Sequence, residues 1–249
     1  MRRSQIATMR LDLYLFDSGL CQSRTEAKNF ITAGAVKLNG KVVNKPSFDV
    51  SESDKVELDR SSKKYVSRGG FKLEAALDEF GISVDGRIAI DVGASSGGFT
   101  DCLLQRGAKL VFAVDSGSGQ LVESLRSDDR VLCIENYNAR YMSKSDFSQE
   151  PKLAVMDVSF ISATHIIPSL YTVLGNNSDY VLLIKPQFEV GPSGIGKGGI
   201  VKDDKKRKQA VDNVISVAKA CGFSHIGLIE SPIKGGDGNV EFLAHFRKE

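Results

Sequence analysis

The stretch Ile88-Ala-Ile-Asp91-Val-Gly93-Ala-Ser95-Ser96-Gly97-Gly98-Phe99-Thr100-Asp101 decides how the rest of the chain is read. A short apolar run ends in an acid, passes through a turn of glycines and serines, and continues as a helix-like segment to about Arg106. Strand, tight loop and helix N-terminus, in that order, aim backbone N–H groups at a ligand. The spacing Asp-x-Gly-x-x-x-Gly-Gly departs from the Gly-x-Gly-x-x-Gly of a dinucleotide site.

Outward from this stretch the chain alternates. A helix-like segment over 71–79 precedes it, and short apolar runs follow at 109–114, 131–134, 153–156, 181–184, 224–229 and 240–246. Helices fit 163–173 and 205–220 between them. This pattern predicts an α/β domain with a mostly parallel, seven-stranded sheet and helices on both faces. Ligands of such sheets sit at the carboxyl ends of the strands, where Asp91 and Asp115 fall.

The glycine spacing fits the first loop of an S-adenosylmethionine (AdoMet) methyltransferase, with the backbone of residues 93–98 close to the amino-acid part of the ligand. Asp115, 24 residues beyond Asp91, stands where an acid accepts hydrogen bonds from a ribose diol. The segment Glu135-Asn-Tyr-Asn138-Ala-Arg140 either lines the adenine side or is a plain loop. The expected cofactor-contacting set is Asp91, Gly93, Ala94, Ser95, Ser96, Gly97, Gly98, Phe99, Asp115, Asn138 and Asp157.

Composition narrows the class. The 249 residues hold one large or two modest domains. Residues 1–66 carry twelve Lys and Arg against eight Asp and Glu, whereas 67–249 carry 21 against 23. A small basic module ahead of a near-neutral body fits a nucleic-acid grip on a catalytic unit. Cys21, Cys102, Cys133 and Cys221 are scattered, so zinc is not expected and a reducing cytoplasm is the simplest location. No apolar run approaches the ~18 residues that span a bilayer, and the basic start lacks the apolar core of a secretory signal.

The front of the chain carries its own signals. Leu11, Leu13, Leu15 and Phe16 suggest a first helix ended by Ser18-Gly19. Ser23, with Glu26 three residues on, forms a capping box for a second helix that Gly34 closes. Asn39-Gly40 between two apolar runs predicts a hairpin, and 54–58 another strand. Arg10, Arg24, Lys28, Lys37 and Lys41 can then share one basic face. The pattern Arg10-Leu-Asp-x-x-Leu15, Ser23-Arg-x-x-Ala27, Ile31-x-x-Gly34-x-Val36-x-x-Asn39-Gly40 resembles the S4-type RNA-binding domain. That resemblance implies a small α+β module gripping structured RNA by shape and phosphate. We expect it over 1–62, a linker at 63–66, and the methyltransferase domain over 67–249.

The acceptor is read from Met156-Asp157-Val-Ser159-Phe160 after the fourth strand. Enzymes that methylate exocyclic amines place Asn/Asp-Pro-Pro-aromatic here, and this chain lacks the prolines. Cys102 falls in a helix and Cys133 in a strand, so neither suits a cytosine-C5 nucleophile. An alcohol remains, and a 2′-hydroxyl needs a base or an orienting cation. Lys185 ends an apolar strand at the ligand edge, where Asp157 can hold it. Lys72 precedes the fold, and Glu241 is expected to open the last strand.

Lys72, Asp157, Lys185 and Glu241 match in order the Lys-Asp-Lys-Glu tetrad of FtsJ-like ribose 2′-O-methyltransferases. With Ser67-Arg68-Gly-Gly-Phe-Lys72-Leu, Met156-Asp-Val-Ser-Phe-Ile-Ser162 and Leu183-Ile-Lys-Pro-Gln-Phe-Glu189, the chain resembles the TlyA family of rRNA (cytidine-2′-O)-methyltransferases. The resemblance implies a Rossmann-like class I fold, AdoMet as methyl donor, and a cytidine ribose in ribosomal RNA as acceptor. The substrate would be a ribosomal subunit or the intact ribosome. It adds Arg68 to the RNA-contacting set and assigns no metal. Related sequences often carry a tryptophan-bearing tetrapeptide in the linker, where this chain has Lys63-Lys-Tyr-Val66.

Gly191-Pro-Ser-Gly-Ile-Gly196-Lys197-Gly198 almost spells a phosphate-binding loop, but Gly198 stands where a magnesium-holding Ser or Thr is needed. It reads as a glycine-rich lid or RNA contact beside Lys185. Asp203-Asp-Lys-Lys-Arg-Lys208 reads as the solvated start of a helix. The competing classes are a haemolysin-like membrane-active protein, which needs an amphipathic or spanning segment, and an RNA-binding protein with an inactive methyltransferase fold.

Overall fold

The computed structural model describes residues 8–21, 23–32, 34–51, 53–59, 64–236 and 238–249. Lys63 of the expected linker lies outside the described residues, whereas Tyr65 within it is buried. Backbone contacts divide the chain after Arg68 into a front unit and a larger second unit.

In the front unit, β1 (Thr8–Arg10) leads into α1 (Leu11–Asp17) and α2 (Arg24–Thr32). Then come β2 (Val36–Leu38), β3 (Lys41–Val42), β4 (Asp49–Ser51) and β5 (Val56–Leu58). Leu11, Leu15, Ala27, Ile31 and Val36 are fully buried, so the apolar faces of both helices close on the sheet. The Ser23 Oγ accepts the Glu26 N–H at 3.1 Å, as a cap should. Asn39 and Gly40, with φ of 51° and 78°, form the tight turn joining β2 and β3 antiparallel. The β1–β4 pair is too short to show a period in the sequence.

Asp12 sits on the buried stripe of α1 with no exposed surface. It accepts two hydrogen bonds from Arg10, at 2.9 and 3.1 Å, and one from Arg24 at 3.3 Å. These guanidinium bonds hold its carboxyl below the usual range despite burial. A buried acid thus fixes two half-exposed arginines on one side of the helix pair.

The second unit runs α3 (Gly69–Glu79), β6 (Ile88–Val92), α4 (Gly98–Gln105), β7 (Leu110–Val114), α5 (Glu123–Arg126) and β8 (Val131–Ile134). It continues with β9 (Leu153–Met156), α6 (Ile167–Val173), β10 (Ser178–Ile184), α7 (Pro186–Glu189), α8 (Asp204–Ala220), β11 (Ser224–Glu230) and β12 (Phe242–Lys248). The strands form one seven-stranded sheet in the order β11-β12-β10-β9-β6-β7-β8. β8, β7, β6, β9 and β10 are parallel, and β12 runs antiparallel to both β10 and β11. Every residue of β7, β9 and β10 is buried, as a sheet covered on both faces requires. Strand order reverses at β6 and β9, which makes their carboxyl ends the topological switch point.

Two expectations are corrected. The single helix expected over 163–173 is a 3-10 turn (Ala163–His165) followed by α6, because Pro168 has no N–H to continue a helix through the join. The last strand begins at Phe242. Glu241 lies just ahead of it, its carbonyl accepting the Ser231 N–H at 2.9 Å.

At the opposite end of the sheet, Asp179 accepts from Arg87 Nη1 at 2.6 Å and pairs with His245 Nε2 at 2.9 Å. Burial pushes its carboxyl up, but His245 and Arg87 outweigh that and hold it at about 2. A depressed acid stabilises the fold above its unfolded value of 3.8 and loses that contribution as pH falls toward 2. The stability advantage of the parent over Asp179→Asn should therefore shrink by about 2 kcal/mol between pH 5 and pH 2, measured by denaturant unfolding.

Candidate active site

Parallel register sets the site. Val92 pairs with Met156, so the next residues, Gly93 and Asp157, leave adjacent strands side by side. Asp157 N–H donates to the Val92 carbonyl at 2.9 Å. Gly93 has φ 85°, and a Cβ there would meet the Asp157 carbonyl oxygen at 2.4 Å. Only glycine fits. Gly97 caps α4 in the left-handed region at φ 97°, where a Cβ would strike Leu125 Cδ1 at 2.3 Å.

A cleft opens above these strand ends. Gly93, Ser95, Asp115, Asn138 and Asp157 line it, with Val114, Tyr137, Val158 and Ile161 supplying an apolar wall. Asp115 is fixed from below, accepting the Ser95 N–H on Oδ2 and the Gly117 N–H on Oδ1, both at 2.7 Å. Each of its oxygens retains a lone pair for a diol. Tyr137 donates to Asp146 at 2.6 Å; burial and that carboxylate push its phenol up to about 12. Ala94, Ser96, Gly97, Gly98 and Phe99 do not line the cleft. They shape the turn and start α4, where Phe99 is buried.

Asp91 lies beneath the loop with no exposed surface. Its Oδ2 accepts from Thr100 Oγ1 at 2.7 Å, while its Oδ1 is buried without a hydrogen-bond partner. Burial, and then the charges of Asp157 and Asp115, raise its carboxyl to about 7 against the pull of Thr100.

A second cleft adjoins the first and shares Ser159 and Phe160 with it. Lys185, Gln187, Phe188 and Glu241 line this side. Lys185 Nζ donates to Ser159 Oγ at 2.7 Å and stands 2.6 Å from Asp157 Oδ1, an ion pair without hydrogen-bond alignment. Lys72 and Glu241 form a buried ion pair. Thus the expected tetrad is present as two pairs, with Asp157 on the first cleft and Lys185 and Glu241 on the second.

Three residues at this junction carry no assignment from sequence. Phe160 is 93% exposed at φ 64°, with its ring 5.4 Å from that of Phe188. Ser159 bridges to Lys185. Glu189 accepts from Ser162 Oγ at 2.5 Å and Ala163 N at 2.9 Å, tying the 159–163 loop to the helix after Lys185. Burial raises the Glu189 carboxyl, and those two bonds oppose it. The position of Ser159, two residues past the strand-end acid, was the available signal.

The two clefts, the Gly93 cradle and the paired Lys-Asp-Lys-Glu set stand together with a family match: residues 65–248 fit the model of FtsJ-like methyltransferases. The chain belongs to the FtsJ-like methyltransferase family. Residues 9–56 match the S4 domain. Hemolysin A of Brachyspira hyodysenteriae is 48% identical over 239 residues, covering 96% of this chain and 99% of that protein. The 16S/23S rRNA (cytidine-2′-O)-methyltransferase TlyA of Mycobacterium tuberculosis is 41% identical, covering 96% of this chain and 90% of its own. A solved structure described as a hemolysin from Streptococcus thermophilus aligns with TM-score 0.77 at 45% identity, over 98% of this chain and 90% of that one.

AdoMet is the cofactor of this methyltransferase unit. The residues fit it: Asp115 presents acceptors for a ribose diol, the apolar wall suits an adenine, and Gly93 leaves room for close backbone approach. In the front unit, Arg10 and Arg24 meet on Asp12. Lys28 is exposed on α2, Lys37 and Lys41 are exposed on the β2–β3 hairpin, and Arg68 immediately precedes α3.

Asp91 gives the methyltransferase unit a pH signature. Between its unfolded value of 3.8 and about 7, the folded chain keeps a proton that the unfolded chain has lost, so stability falls as pH rises. Asp91→Asn removes that slope. Its stability relative to the parent should improve by about 2 kcal/mol from pH 5 to pH 7 in urea unfolding.

Proposed function

We propose that this protein transfers the methyl group of AdoMet to the 2′-hydroxyl of a cytidine in ribosomal RNA, acting on a ribosomal subunit or intact ribosome in the cytoplasm. The observation that carries this reading is the Asp157–Lys185–Ser159 cluster at the seam between the cofactor cleft and the cleft beside it. The ribosomal and cytidine parts rest on the named activity of the relatives from Mycobacterium tuberculosis and Campylobacter jejuni.

Bound AdoMet supplies an electrophilic methyl on a sulfonium. Asp115 would hold the ribose diol, and the backbone at 93–95 would hold the amino-acid part. On the acceptor side, Lys185 sets the 2′-oxygen with a lone pair toward the methyl. As the O–C bond forms, the sulfonium S–C bond breaks to leave the thioether S-adenosylhomocysteine, and the hydroxyl proton passes to water while Lys185 steadies the developing alkoxide. Asp157 and Ser159 hold the Lys185 ammonium at the seam, so its position is fixed before RNA arrives. Glu241, locked to Lys72, supplies a further acceptor on the same wall. Catalysis is mainly positioning of two bound partners, with proton transfer added. The exposed Phe160 ring offers a face on which the base of an unstacked nucleotide can rest. The front module over 1–62 grips the RNA with Arg10, Arg24, Lys28, Lys37 and Lys41, 63–66 joins it to the catalytic part, and Arg68 at the start of that part adds a further contact.

Lys185→Ala should lower kcat at least about 100-fold while AdoMet affinity and RNA binding stay within about threefold of the parent. Transfer of labelled methyl to ribosomal subunits, followed by alkaline hydrolysis, reads this out. A 2′-O-methyl survives as an alkali-resistant dinucleotide, and label recovered on a base would sink the ribose assignment.

Phe160→Ala should raise the KM for RNA by roughly 5- to 100-fold, as loss of one stacking partner requires, with AdoMet affinity unchanged by calorimetry. An unaltered KM would remove Phe160 from the acceptor site.

A further inference from the structure

We infer that the methyltransferase unit carries an RNA-backbone contact of its own, a strip of lysines from the rim of the acceptor cleft to the first turns of α8. It grips the phosphates that flank the target nucleotide. This rests on the reading of the substrate as RNA.

The strip begins on the glycine-rich loop. Ile195 and Gly199 line the cleft that holds Lys185, and Lys197 stands between them, exposed. The loop is clamped. Gly196 N–H donates to the Ile200 carbonyl at 3.0 Å, and the buried Asn239 accepts from Val201 N and donates to the Gly199 carbonyl, both at 2.9 Å. Lys197 is therefore presented from a built turn. Lys202 follows, exposed, and then Lys205 and Lys208 on α8, three apart and so neighbours on one helix face.

The two acids in this segment are already engaged. Asp203 caps α8 by accepting the Lys205 N–H at 2.8 Å, and Asp204 pairs with Arg207. Among the described residues, Lys197, Lys202, Lys205 and Lys208 have no ion-pair partner. Six basic residues against two acids lie within 197–208, although the chain from 67 onward holds 21 against 23. A locally positive strip on an otherwise acidic body is where a polyanion settles.

Its position selects the polyanion. An RNA whose 2′-hydroxyl reaches Lys185 must leave the cleft across its rim, and Ile195 and Gly199, which flank the exposed Lys197 in sequence, form part of that rim. The flanking phosphates then pass the exposed Lys197 and Lys202 on the way to Lys205 and Lys208 of α8. An acidic protein docked here would block the same cleft.

The test uses the full chain and the RNA substrate that the parent methylates. Lys202→Ala, Lys205→Ala and Lys208→Ala are combined, and kcat and the KM for RNA are measured across a salt series. The expected result is a KM raised about tenfold or more near 0.1 M salt, with kcat at saturating RNA and AdoMet affinity unchanged. The slope of log(kcat/KM) against log salt should become shallower by about 2, since each lost single-strand phosphate contact removes about 0.7. Single Lys205→Ala and Lys208→Ala variants should each remove about 0.7, so the outcome does not hang on folding of the triple variant. Replacement of all three by Arg should keep the parental KM. Parental KM and slope in the Ala variants, or a loss in kcat at unchanged KM, overturns the strip. Failure of the parent itself to methylate RNA overturns the underlying reading instead.

Discussion

The contact between Gly93 and Asp157 is the constraint on which the active site depends. Two parallel strands end in register, and their first loop residues pass so closely that a methyl group could not be inserted. One of these residues begins the turn that builds the first cleft, and the other carries the carboxylate that meets Lys185 on the wall of the second. The two clefts are thus joined by backbone packing at the switch point, with no flexible connection between them. Rigid elements of this kind hold reacting groups more closely than loops can.

The charges around the seam follow from that packing. Asp91, Asp115 and Asp157 all arrive near one loop because each ends or follows a strand of the same parallel set. Three acids in one place repel, and the structure handles each differently. Asp115 is held by two backbone N–H groups and Asp157 by an ammonium, while Asp91, wholly buried, takes up a proton near neutrality. The second ion pair, Lys72 with Glu241, brings the N-terminal helix of the unit against the start of the reversed strand. Breaking a buried pair of this type leaves an uncompensated charge and costs about 3–5 kcal/mol, so it ties the start of the reversed strand β12 to α3.

Much of this was legible before the structure. Glycine spacing after an apolar run marked the turn after β6, because a positive φ and a close approach can be met by few residues. The strand-end positions of Asp115 and Lys185 were legible too, and both line the clefts above the sheet. The AdoMet assignment and the seven-strand sheet stand with the family match. What could not be read was side-chain direction within loops. Phe160 looks like a core aromatic in a motif, and only its left-handed backbone turns it to solvent. Glu189 ties to residues 26 and 27 positions away, a distance over which no local period carries information. Asp12 stands in the Arg10-Leu-Asp pattern, but only the fold shows that it is buried and organises two arginines. Ala94, Ser96, Gly97, Gly98 and Phe99 belong to the same motif as Gly93, but after Ser95 the chain turns into α4, and of residues 93–99 only Gly93 and Ser95 line the first cleft.

Two units on one chain have a physical logic for an enzyme acting on a large, folded RNA. Binding by one unit makes the second encounter intramolecular, so the catalytic cleft can hold its nucleotide weakly and still work at a useful rate. Weak holding matters, because energy spent binding the ground state does not lower the barrier. The same reasoning bears on the haemolysin label carried by a relative at 48% identity. Among the described residues, no helix is long and apolar enough to cross a membrane. The features that are built, two adjoining clefts, a lysine set between them, and an S4 domain, are those required by a methyl transfer to RNA. Lys185, held between an acid and a hydroxyl at 2.6 and 2.7 Å, is a fixed cation at the seam of the two clefts, which such a transfer needs and a membrane lesion does not.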